Sequence, residues 1–71
     1  MNTYKEAHET IINELINARQ KSNLSQHQLA ELSGIELSTI NDIETGAASP
    51  QLDTLLKVLY SLGKTLVIAD L

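Results

Sequence analysis

His8 and His27 are the side chains best suited to general acid–base work in this sequence, and their setting argues against it. They lie nineteen positions apart on what read as different helices, a spacing that suggests no metal site. There is no cysteine, so thiolate nucleophiles, disulfides and thiolate metal sites are all excluded. No nucleophile sits beside a base, and no glycine-rich loop is present to cradle a phosphate. Both histidines therefore read as surface residues, and no enzyme, cofactor or metal site is expected. What remains is non-covalent. Residues 24–46, LSQHQLAELSGIELSTINDIETG, alternate apolar contact positions with outward groups that donate and accept hydrogen bonds.

Two short helices and a turn must position those groups. Ser25 and Gln28 form a capping box that opens a helix from Gln26 to about Ser33. Leu29 and Leu32 are expected to face the core, and Ala30 to allow close approach. Gly34 supplies the left-handed conformation needed straight after a helix. The next helix is expected from about Leu37 to Thr45, with Ile40 and Ile43 inward and Gly46 as its stop. Such a pair makes a helix-turn-helix, whose second helix is built to lie in a DNA major groove.

The flanking segments supply the core. Thr3 followed by Glu6 is a capping-box pattern that starts a helix near Tyr4. Ala7, Ile11, Ile12, Leu15, Ile16 and Ala18 then recur at helical spacing up to Lys21. Glu6 and Glu9 near its start, and Arg19 and Lys21 near its end, complement the helix dipole. Ser22 and Asn23 break the pattern. After the loop Ala47-Ala48-Ser49-Pro50, a fourth helix is expected from about Leu52 to Leu62. Its stripe is Leu52, Leu55, Leu56, Leu59 and Leu62, and Gly63 is its C-cap. The period then changes, and Lys64–Leu71 reads as a short β-strand through Thr65, Leu66, Val67 and Ile68.

Seventy-one residues make one domain with a modest core. The organisation expected is a helical unit over 1–63 and a closing strand over 64–71. No apolar run approaches the ~20 residues of a membrane span, and MNTYKEAHET has no apolar segment of signal-peptide type. A soluble, cytoplasmic protein is expected, with no membrane partner. The net charge of −4 is unusual for a DNA-binding unit, because most affinity for DNA comes from neutralised phosphates.

The run Leu24-Ser25-Gln26, Leu29-Ala30, Gly34-Ile35, Thr39-Ile40, Ile43-Glu44 and Gly46, followed by Pro50, Leu52 and Thr54-Leu55, resembles the Cro/CI-type (Xre-like) helix-turn-helix family over roughly residues 9–62. The fold so implied is all-α, a lambda-repressor-like bundle of four helices, here with one short C-terminal strand. The ending Ser61-Leu62-Gly63-Lys64-Thr65-Leu66-Val67-Ile68 resembles the HipB-type antitoxins. In those proteins the strand pairs with its copy and closes a homodimer. A lone strand has no sheet to join within its own chain, which independently favours a second copy. Tyr60 is expected to pack at that interface with Thr65, Leu66, Val67 and Ile68.

The resemblance implies further roles. Gln26 matches a residue that contacts a phosphate and braces the reading helix, a job suited to a helix N-terminus. Arg19 and Glu44 match a buried ion pair between the first and third helices. Base-reading positions fall on Glu36, Leu37, Ser38, Thr39, Asn41 and Asp42. Asp or Glu accepts from cytosine, Leu37 packs on a thymine methyl, and Asn41 pairs with adenine. His27, Lys21 and Ser49 are expected near phosphates. Where relatives often carry Gln, Arg or Lys, this chain has the anions Glu36 and Asp42, and its loop after Gly46 has no cation. Lys5 and Lys57 have no assigned role and read as solvated charges.

The function implied is repression by a symmetric dimer on a palindromic operator, with each third helix in successive major grooves roughly 34–36 Å apart. HipB likeness adds an operon of its own and a HipA-like kinase toxin as partner. Two alternatives stand beside it: a phage- or plasmid-type regulator without a toxin, and a protein-interaction module with weak DNA affinity.

Overall fold

Four helices account for most of residues 3–71, which this computed structural model describes. They are α1 (Tyr4–Lys21), α2 (Gln26–Ser33), α3 (Leu37–Thr45) and α4 (Leu52–Ser61). Thr3 caps α1 by accepting from the Glu6 N–H at 3.2 Å. Ser25 caps α2 reciprocally: its Oγ accepts from the Gln28 N–H at 3.0 Å, and its own N–H donates to Gln28 Oε1 at 2.8 Å. Between these helices Asn23 takes a left-handed conformation (φ 57°), which asparagine tolerates better than most residues. Gly34 and Gly46 end α2 and α3 in the same region, at φ 74° and 80°.

One core unites the helices. Ile12 and Leu15 of α1, Leu29 of α2, Ile40 and Ile43 of α3, and Leu55, Val58 and Leu59 of α4 form a single buried cluster. Leu15, Leu29, Ile40, Ile43 and Val58 are essentially inaccessible to water. Burying each such side chain contributes about 2 kcal/mol. The two isoleucines hold α3 from beneath, so its opposite face is free to project outward.

Two helical stripes differ from expectation. Leu32 is 59% exposed, not core-facing. The inward face of α2 is Gln26, Leu29, Ala30 and Ser33, an i, i+3, i+4, i+7 set in which polar and small residues occupy the flanks. Leu32 stands to one side of it. In α4 the stripe is Leu55, Val58, Leu59 and half-buried Leu62, so Leu52 in the first turn is left exposed. α4 also stops at Ser61, with Leu62 as C-cap and Gly63 left-handed beyond it (φ 73°).

The tail is the larger correction. Among the described residues there is no strand, and Lys64–Leu71 has no regular structure. Backbone Lys64 N–H donates to the Leu59 carbonyl at 2.9 Å, and Leu66 packs against the core of the same chain. Beyond Leu66 the chain meets nothing that would complete a ladder, because a single strand has no partner for its peptide groups. Val67, Ile68 and Leu71 are left exposed. Among the described residues, no helix is long and apolar enough to cross a membrane.

Candidate nucleic-acid interface

With Ile40 and Ile43 turned down, α3 presents Leu37, Ser38 and Asn41 to solvent, while Thr39 and Asp42 lie half-buried at its flanks. Glu36, the N-cap residue, is exposed and makes no side-chain capping bond. Near the far end, Thr45 Oγ1 donates back to the Asn41 carbonyl at 2.9 Å. The Asn41 side chain stays on the open face. A hydroxyl and an amide on adjacent turns offer both donors and acceptors, the kind of pattern that base edges display in a major groove.

The exposed face of α3 is fixed in place by an arginine. Arg19, in the last turn of α1, donates from Nε to Glu44 Oε2 at 2.7 Å and from a second nitrogen to Glu44 Oε1 at 3.0 Å. Its remaining Nη donates to the Leu24 carbonyl at 2.8 Å. Gln26 Nε2 then donates to Glu44 Oε1 at 3.0 Å. Glu44 thus accepts from α1 and α2 at once, and one guanidinium joins α1, the α1–α2 turn and the end of α3. The Arg19 and Glu44 side chains are only 12% and 5% exposed, so solvent screens the pair weakly. A two-pronged guanidinium–carboxylate contact sets orientation as well as distance.

Gln26 and His27 are the first two residues of α2, where backbone N–H groups have no partner inside the helix. Gln26 also keeps a second amide hydrogen after serving Glu44. Free donors at a helix start are of the kind that anions favour. His27 Nε2 lies 3.6 Å from Glu31 Oε1, and both side chains are largely solvated.

Two clefts gather the other candidates. Lys21 borders one of about 320 Å³, lined also by Glu14, Leu59, Lys64, Thr65 and Leu66, where the tail returns toward α1 and α4. Ser49 and Gly46 border the second, opposite Lys5 and His8 in the first turns of α1. Sequence alone gives Lys5 no role. No local pattern links it to a loop more than forty residues away, and only the packing brings them together. Tyr60 is exposed on α4, and Thr65, Val67 and Ile68 are exposed on the tail. Among the described residues, no group of His, Asp and Glu could hold a metal ion.

Comparison with known proteins agrees with this geometry. An HTH-type transcriptional regulator of Haemophilus influenzae, itself named as uncharacterized, is 52% identical over 61 residues. That match takes in 86% of this chain but only 62% of the relative, so the chain spans less than two thirds of that protein's length. Among solved structures, a toxin-antitoxin module from Streptococcus pneumoniae superposes with a TM-score of 0.81 at 48% identity, covering 96% of this chain and 75% of the other. Residues 15–68, from the core of α1 through the start of the tail, match the helix-turn-helix family. The chain belongs to the helix-turn-helix family.

Proposed function

We propose that this protein is a sequence-specific DNA-binding repressor that works as a symmetric dimer and serves as the antitoxin of a toxin–antitoxin pair. The observation that carries the DNA-binding reading is the mounting of α3. Two buried isoleucines and the Arg19–Glu44–Gln26 network hold it rigidly, with Leu37, Ser38 and Asn41 outward. In this reading Ser38 and Asn41 contact bases, Leu37 packs on a thymine methyl, and Glu36 and Asp42 select cytosine. Gln26 and His27 contact a phosphate. The dimer forms through Tyr60 and the tail, whose exposed Val67 and Ile68 are apolar surface in want of cover.

The antitoxin role draws on the structural neighbour, a toxin-antitoxin module. Repression would act on the protein's own operon, by occupying a palindrome that polymerase needs. The resemblance of the tail to HipB-type antitoxins makes a HipA-like kinase the first toxin to test. A toxin would also bring cations to a dimer carrying twice the −4 charge of one chain.

Affinity for a duplex spanning its own promoter, measured from low to high salt, tests the DNA reading. A steep fall with salt marks true phosphate contacts. Absence of binding at low salt favours the second reading, an interaction module, which the anionic Glu36 and Asp42 on the reading helix support. Co-purification with the product of the neighbouring gene separates an antitoxin from a stand-alone regulator.

A further inference from the structure

Lys5 and His8 stand on one wall of a cleft of about 340 Å³ whose other wall is the loop after α3. Gly46, the residue that ends α3, and Ser49 form that second wall. The cleft therefore begins where the reading helix stops. Ala47-Ala48-Ser49 follows directly on the C-terminal end of α3 and contains no cation. α1 brings one to it. A lysine ammonium offers three donors on a flexible stem, and a serine hydroxyl beside it adds a fourth, a combination suited to a phosphodiester oxygen. Phosphate contacts of this kind fix the position of a protein on the duplex without reading sequence.

We propose that Lys5, with His8 and Ser49, forms a second DNA-phosphate contact in addition to that at Gln26, and that Glu9 on the same cleft weakens it. The proposal rests on the DNA-binding reading and adds the cation that the loop lacks. α1 is then a part of the DNA-binding surface as well as a core helix. Its first turns set how tightly the C-terminal end of α3 is drawn toward the groove edge.

The test compares Lys5→Gln with Lys57→Gln, which removes the same charge from an exposed position on α4 outside both clefts. Probes are a duplex covering the protein's own promoter and a random-sequence duplex of equal length. Lys5→Gln is expected to reduce the slope of log affinity against log salt by about 2 for a dimer, one phosphate per subunit, on both duplexes. Lys57→Gln should leave the slope unchanged, Lys5→Arg should restore it, and Glu9→Gln should tighten binding severalfold. Equal effects at Lys5 and Lys57 would reduce the result to net charge and overturn the proposal, as would a wild-type slope in Lys5→Gln. Wild-type protein that binds neither duplex would bring down the DNA-binding reading itself, a result distinct from either.

Discussion

Arg19 grips Glu44 through two parallel hydrogen bonds, 2.7 and 3.0 Å long, across 25 residues of sequence. Both partners are nearly dry, so removing one strands the other's charge in a poorly solvated site. Arg19→Ala or Glu44→Ala should each destabilise the fold by about 3 kcal/mol. Urea unfolding followed by circular dichroism would measure it. A double variant, Arg19→Met with Glu44→Leu, should recover much of that loss, because no unpaired charge remains. A double variant no more stable than the singles would show that orientation of α3, not charge burial, dominates.

Gly34 isolates backbone conformation from packing. Its φ is 74°, and a Cβ added there would meet open space. Gly34→Ala should therefore cost about 1 kcal/mol through the left-handed backbone alone, and Gly34→Asn less. A larger loss at alanine would mean that α2 and α3 change their angle.

Under the proposed function, Gln26 and Ser38 divide anchoring from reading. Gln26→Ala removes an amide that braces Glu44 and faces the helix terminus, so affinity should drop alike on every duplex. Ser38→Ala, on the open face of α3, should instead change which base is preferred at one position, by about 1–3 kcal/mol per mismatched pair. Binding-site selection from a random library distinguishes the two outcomes. Unaltered preference in Ser38→Ala would shift the register of α3 against the groove.

The tail offers a dimerisation test that spares the subunit. Leu66 packs against the chain's own core, so a charge there would damage folding as well as any assembly. Val67 and Ile68, 82% and fully exposed, carry no such burden. Val67→Lys with Ile68→Asp should leave the helical signal and melting intact while shifting sedimentation to the monomer and weakening operator binding. A dimer of unchanged strength would remove the tail from the interface.

The helix ends were legible because they are written locally: Ser25 with Gln28, Gly34 and Gly46 each act within a turn of chain. The stripes were less so. On α2 the buried face is completed by Gln26 and Ser33, and hydropathy alone favours Leu32 over them. Val58 stands outside the leucine stripe of the sequence, yet it is among the most buried residues of α4. β-propensity in the tail describes what its side chains favour, but a strand also needs neighbouring peptide groups that one chain does not supply. The Lys5 cleft lay beyond any periodic pattern, because it depends on how the start of α1 meets a distant loop.

Leu66 anchors the tail to the core of its own chain, and Val67 and Ile68 just beyond it are left bare. In the proposed dimer, contact resting on these two exposed side chains of each chain would make a loose association. Occupancy of a two-fold site would then rise with roughly the square of the amount of protein. Modest depletion of the chain would release the DNA abruptly.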